Sequence, residues 1–149
     1  MFTMNFSKAP VPEDFLNDLS ALGYSNVQQL GQGGMGTVFR AYKRNLDRTV
    51  AIKVVSQDRV SNSEYVQRFY AEMRTMAALD HPAIVPVYDG GVTSHGFPYF
   101  TMKYIDGENL YDFLHRRRAS RQLLTVQEVV QILAPIALSL IHISEPTRP

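Results

Sequence analysis

Polar and apolar residues alternate over residues 24–30 and again over 37–42, the period of a half-buried strand, and a glycine-dense stretch at Gly31, Gly33, Gly34 and Gly36 separates the two runs. This reads as strand, turn, strand. A third strand is predicted over 49–55, where β-branched residues dominate until Gln57 and Asp58. Ser61 and Glu64 then form a capping-box pattern, and Val66, Phe69, Met73, Met76 and Leu79 recur at helical spacing up to His81-Pro82, which predicts one amphipathic helix over 63–79. Short apolar runs at 84–88 and 99–105, separated by Asp89, Gly90, Gly91, His95 and Gly96, read as a hairpin and bring the strand count to five. Ahead of all this, Pro10 and Pro12 mark a polar lead-in, followed by a short helix over 13–22 that Gly23 stops. After Gly107 the pattern turns helical, over 110–118 and then from 126 to about 140 behind a Thr125/Glu128 capping box. That last helix is apolar on several faces, at Val129, Val130, Ile132, Leu133, Ile136 and Ala137, and so is built to be surrounded.

Composition narrows the picture without adding elements. The balance of 45% hydrophobic and 19% charged side chains over 149 residues is that of a globular chain with one core. A net charge of +1 gives no polybasic field, so nucleic acid is not expected as a partner. With no cysteine there are neither disulfides nor thiolate metal sites, in keeping with a reducing, cytoplasmic setting. No signal-like N-terminus occurs, and no run reaches the roughly 18 apolar residues of a membrane span. No cluster of His, Asp and Glu has metal-ligand spacing.

Three features carry chemistry. Gly31, Gly33, Gly36 and Val38 fit G-x-G-x-x-G-x-V, in which missing Cβ atoms let backbone amides approach a phosphate chain. The same glycines could serve a plain hairpin turn, and a dinucleotide fingerprint would have to open a helix, whereas these open a strand. Val50-Ala51-Ile52-Lys53 ends an apolar strand on a lysine that either snorkels to solvent or finds a counter-ion. Glu72 lies three residues after Phe69 and four before Met76, so helical spacing puts it on the inward face, where a carboxylate is costly unless paired. Lys53 is the counter-ion the pattern offers. Glu64, the other acid of that helix, sits in its first turn and is explained as a cap.

Glycine loop, V-A-I-K and an inward helical glutamate, together with Gly33-Gly34-Met35-Gly36 and His81-Pro82-Ala83-Ile84-Val85, resemble the eukaryotic-like serine/threonine protein kinases of bacteria. The resemblance implies an α+β fold: a kinase N-lobe of five antiparallel strands plus one helix over 24–102, behind the 1–23 lead-in, then a hinge and an incomplete helical C-lobe over 103–137. It also implies that ATP is bound through Leu30, Gly31, Gln32, Gly33, Gly34, Met35, Gly36, Val38, Ala51, Lys53, Met102, Lys103, Tyr104 and Ile105. In that scheme Val38 and Ala51 sandwich the adenine, Met102 is the gatekeeper, and the backbone of Lys103, Tyr104 and Ile105 pairs with the adenine edge. Lys53 aligns the phosphates and Glu72 holds Lys53, making them the catalytic pair. Asn109, beside Glu108, stands where some relatives use an acid on the ribose. The implied partners are ATP, Mg2+ and a protein bearing a serine or threonine hydroxyl.

H-R-D-x-x-x-x-N and D-F-G, which supply the base and the metal ligands of phosphoryl transfer, do not occur in the 149 residues. Mg2+ ligands are therefore expected in a C-lobe portion that this sequence lacks, and the chain alone is expected to be inactive. A pseudokinase or nucleotide-binding regulatory module is the alternative. Residues 138–148 resemble a translated sequencing adapter, so the natural sequence is expected to stop near Ala137, with 138–149 an artefactual tail. Arg116, Arg117, Arg118 and Arg121 are read as the favourable last turn of a helix, and His81 and His115 as structural.

Overall fold

Strand β3 (Arg48–Val54) shows how the sheet is organised, because its side chains alternate between two packed faces. Val50, Ile52 and Val54 are buried on one side, while Ala51 and Lys53 point to the other. The structure is a computed structural model that describes residues 13–33 and 36–144, the side chains of Gln57 and 141–144 aside. Those residues form two compact units, one running through Ala78 together with Val85–Tyr104, the other comprising Leu79–Ile84 and the chain from Ile105 onward.

The first unit is a sheet between two helices. Strands β1 (Tyr24–Gly33), β2 (Gly36–Lys43), β3, β4 (Val87–Val92) and β5 (Pro98–Lys103) are ordered β1-β2-β3-β5-β4, and every neighbouring pair is antiparallel. On one face, Phe39, Ala41, Val50, Ile52, Val54, Phe97 and Tyr99 join Phe15 and Leu19 of helix α1 (Glu13–Ala21) in one cluster. On the other, Phe100 and Val55 pack with Phe69 of helix α2 (Ser63–Ala77), and Tyr65, Met73, Met76, Val87 and Met102 close around them. The helix of the lead-in is thus a layer of this unit, covering the face that α2 leaves open.

Several boundaries differ from the sequence reading, among them the start of α2 and the extent of β4. The α2 cap is Asn62, whose Oδ1 accepts the Tyr65 N–H at 3.2 Å, rather than Ser61, and Glu64 pairs with Arg68 one turn on instead of closing a capping box. In the hairpin, Asp89, Gly90 and Gly91 are strand rather than turn. Reversal occurs at 93–97, where Thr93 and Phe97 bond through Thr93 N–H to Phe97 O at 3.0 Å and Gly96 takes φ 85°. Gly90 belongs in the strand because α2 lies against it: a Cβ there would fall 2.5 Å from Met73 Sδ and 3.3 Å from both Phe100 Cβ and the Tyr99 carbonyl oxygen.

In the second unit, α3 (Leu110–Ala119) and α4 (Val126–Ser144) both start at side-chain caps. Asn109 Oδ1 accepts the Asp112 N–H at 2.8 Å. Thr125 and Glu128 bond reciprocally, Thr125 N–H to Glu128 Oε2 at 2.8 Å and Glu128 N–H to Thr125 Oγ1 at 3.2 Å, as their pattern predicts. Helix α4 continues through Ser144, past the predicted end near 140 and across Ala137 without a break.

Candidate nucleotide site

Register places the candidate side chains on one face. Cross-strand partners share a face, and Val38 is opposite Lys53, Lys53 opposite Phe100, Arg40 opposite Ala51, and Ala51 opposite Met102. Two rows result: Val38, Lys53, Phe100, and beside it Arg40, Ala51, Met102. Ala51 is 6% exposed, and Val38 and Met102 are half-buried.

Helix α2 supplies the counter-ion. Lys53 Nζ lies 2.5 Å from Glu72 Oε1, with side chains 16% and 30% exposed, so the pair sits where removal of one partner leaves a poorly solvated charge. Phe69, one helical turn before Glu72, packs on Phe100 with ring centroids 5.1 Å apart, and Lys53 Nζ lies 5.9 Å over the Phe100 ring. One aromatic contact therefore anchors the helix to the strand opposite the lysine. Glu72 Oε2 is buried and has no hydrogen-bond partner among the described residues, so the carboxylate holds Lys53 with one oxygen and keeps acceptor capacity on the other.

The glycine loop divides into two kinds of position. Gly36 has φ 143°, and a Cβ there would overlap the Val54 carbonyl, so strand packing alone demands glycine. At Gly31 and Gly33 a Cβ would meet no atom within 4 Å, and internal packing gives no reason for glycine at either. Gly34 and Met35, both named as candidate loop residues, lie outside the described residues. Leu30 is 48% exposed, and Gln32 is half-buried opposite Thr37.

At the end of β5, the Lys103 N–H donates to the Pro86 carbonyl at 3.1 Å, so that amide is already committed. Any backbone pairing with an adenine falls to other groups of this segment. The Lys103 side chain is exposed, Tyr104 is half-buried under the Arg40 guanidinium at 5.4 Å, and Ile105 belongs to the second unit. Asn109 and Glu108 have local duties: Asn109 caps α3 and also donates to Asp112 Oδ2 at 2.8 Å, and Glu108 pairs with Arg116. Arg117 binds both oxygens of Glu128, at 2.7 and 2.8 Å, so two members of the arginine cluster serve intramolecular pairs. His81 Nδ1 accepts the Ala83 N–H at 3.1 Å, and His115 stacks on Tyr111. Among the described residues no three acidic or histidine side chains gather as a metal site.

A family model described as protein kinase domain matches residues 24–145. The chain belongs to the protein kinase family. It is 36% identical over 113 residues to a probable serine/threonine-protein kinase of Streptomyces coelicolor, covering 74% of this chain and 17% of that protein. It is 30% identical over 130 residues to the serine/threonine-protein kinase pkn3 of Myxococcus xanthus, covering 87% and 24%. Among solved structures, the PknI kinase domain of Mycobacterium tuberculosis superposes with a TM-score of 0.62 at 31% identity, covering 79% of this chain and 47% of that one. The chain thus spans about a fifth of these curated relatives and about half of a solved kinase domain. The five-stranded antiparallel sheet expected from the kinase resemblance is the one observed. Protein kinases use ATP with Mg2+, and the residues present fit the nucleotide part of that requirement, with a cation held on an apolar strand face by a carboxylate whose other oxygen is unpartnered. Among the described residues, no helix is long and apolar enough to cross a membrane.

The sequence reading missed three contributors: Phe100 beneath Lys53, Gly90 beneath α2, and the covering role of α1. Gly90 offers no separate signal in sequence, because between Asp89 and Gly91 it reads as part of the stretch that separates two strands.

Proposed function

We propose that this chain is the ATP-binding portion of a protein serine/threonine kinase that moves the γ-phosphate of ATP to protein hydroxyls in the cytoplasm. The observation that carries the reading is the 2.5 Å Lys53–Glu72 pair on the face that also presents Val38, Ala51 and Met102. In this reading Val38, Ala51 and Met102 form an apolar wall for the base, Leu30 adds to it, and the backbone of Lys103 and Tyr104 pairs with its edge. Gly31, Gln32, Gly33, Gly34, Met35 and Gly36 form the loop over the phosphates. Lys53 places its ammonium on the α- and β-phosphates, a charge-assisted contact, and Glu72 fixes the rotamer from which it reaches them. The chain carries neither the catalytic-loop aspartate nor the metal-binding aspartate of D-F-G, so by itself it binds nucleotide without transferring phosphate. Mg2+ would be held by residues this chain does not contain.

The test is a titration of the 149-residue chain with a fluorescent, non-hydrolysable ATP analogue and Mg2+, read by anisotropy. Saturable binding is expected, and Lys53→Ala should weaken it by roughly 10- to 150-fold, the worth of a hydrogen bond to a charged group, about 1.5–3 kcal/mol. Binding that is absent, or indifferent to Lys53→Ala, sinks the proposal.

A further inference from the structure

Helix α1 precedes the family match, which begins at residue 24, yet it is among the best-packed parts of the sheet unit. Phe15 and Leu19 are 1% and 0% exposed. The Phe15 ring lies 5.3 Å from Phe39 on β2 and 5.7 Å from Phe97 in the β4–β5 turn, just ahead of β5, so one side chain reaches from β2 to the turn that leads into β5. Ile52 and Val54 of β3 belong to the same cluster, on the face opposite Lys53.

Polar contacts fasten the helix at two points. At its C-terminal end Lys43 Nζ donates to the Leu22 carbonyl at 2.6 Å, and the Arg44 N–H donates to the Gly23 carbonyl at 3.1 Å. In its middle, the buried Asp18 carboxylate accepts the His95 backbone N–H at 3.0 Å and lies 2.9 Å from His95 Nδ1, a contact spanning 77 residues of sequence. The groups facing this latch are Asp14 and Asp18 from α1, and Thr93 and His95 from the β4–β5 turn. Burial pushes the Asp18 carboxyl up, but hydrogen bonds from Thr93 and His95 outweigh it and hold the group below its usual 3.8. The bond to Asp18 holds the His95 imidazole above its usual 6.5.

We infer that α1 is a proton-responsive clamp on the face of the sheet opposite Lys53, seated by Phe15 and Leu19 and latched by Asp18 to the β4–β5 turn at His95. The His95 contribution is fully present below its unfolded value and is lost as pH rises through its higher folded value. The Asp18 contribution is present above its unfolded value and is lost as pH falls through its lower folded value. The latch is tightest between those limits and loosens as pH rises through the raised His95 value. Phe15, Leu19 and the His95 backbone bond persist, so the clamp slackens without detaching. This inference does not depend on the nucleotide reading.

Amide hydrogen exchange of the 149-residue chain tests it, at about pH 6 and about pH 8.5 with intrinsic rates corrected, since the window brackets an ordinary histidine. Protection of α1 and of residues 93–97 should fall several-fold at the higher pH while α2 is unchanged. Asp18→Asn should lower α1 protection at both pH values, and His95→Gln should flatten the pH profile while keeping the helix docked. Equal α1 protection at the two pH values, or a wild-type pH profile in Asp18→Asn, overturns the clamp.

Discussion

The two units use their apolar residues in opposite ways. Every one of the largest fully buried side chains among the described residues, Phe15, Leu19, Val50, Ile52, Val55, Phe69 and Phe100, belongs to the sheet unit. In the helical unit Ser139 is the one buried residue among those described, while Leu123, Val126, Val130, Leu133 and Ile136 are 90%, 82%, 56%, 53% and 46% exposed. Helix α4 is no less apolar than the strands. What differs is that each face of the sheet has a helix of its own unit to cover it, and within the helical unit the apolar side of α4 has no such layer among the described residues. An amphipathic pattern specifies a face to be buried and says nothing about whether a partner arrives.

The sharpest way to break this contrast is to truncate one large apolar residue in each unit. Phe100→Ala removes the ring between Lys53 and Phe69 and should cost about 3–5 kcal/mol, read as a drop in the urea midpoint. Leu133→Ala should stay within about 0.5 kcal/mol, as a surface change does. Equal losses would mean that α4 is covered in solution, and light scattering that reports a clean monomer would point the same way.

A smaller effect is expected at the seam between α2 and the sheet. Gly90→Val drives side-chain atoms into the space of Met73 Sδ and the Phe100 Cβ, and overpacking of this kind costs about 1–3 kcal/mol. Because the closest obstacle is the flexible Met73 side chain, Met73→Ala should restore part of the melting temperature in the Gly90→Val background. A double variant no better than Gly90→Val alone would show that the strand backbone, and not Met73, sets the approach of α2.

The smallest effect belongs to the α4 cap. The Thr125 backbone N–H, then the Thr125 hydroxyl, hold the Glu128 carboxyl below its usual 4.5, with Arg117 adding to both. The folded value is depressed, so the stabilisation is present above the unfolded value and is lost as pH falls through the folded one. Helicity of α4, followed by circular dichroism, should decline in acid in the native chain and be independent of pH over that range in Glu128→Gln.

Legibility followed the range of the interactions. Strand alternation, the Thr125/Glu128 box and the inward aim of Glu72 are local and were read correctly, because periodicity and three-residue spacing are properties of a short stretch. Of the separator Asp89, Gly90, Gly91, His95 and Gly96, the last two lie in the turn and the first three in strand β4, because a glycine that yields to a neighbouring helix looks, in sequence, like one that turns the chain. The lead-in helix was visible and its purpose was not, since Phe15 and Leu19 give no hint of which surface they seek.

From its sequence alone, this chain is determined to hold five strands, an inward glutamate one helix after a strand-borne lysine, and a glycine loop ahead of both. These follow from backbone geometry, which maps residue spacing onto faces. Tertiary structure decided the partners. Packing in three dimensions set the approach of Lys53 to Glu72 over Phe100, the fit of Met73 over Gly90, and the meeting of Asp18 with His95. Such contacts depend on how closely two elements pack, a quantity fixed by the side chains of both together and written in neither one.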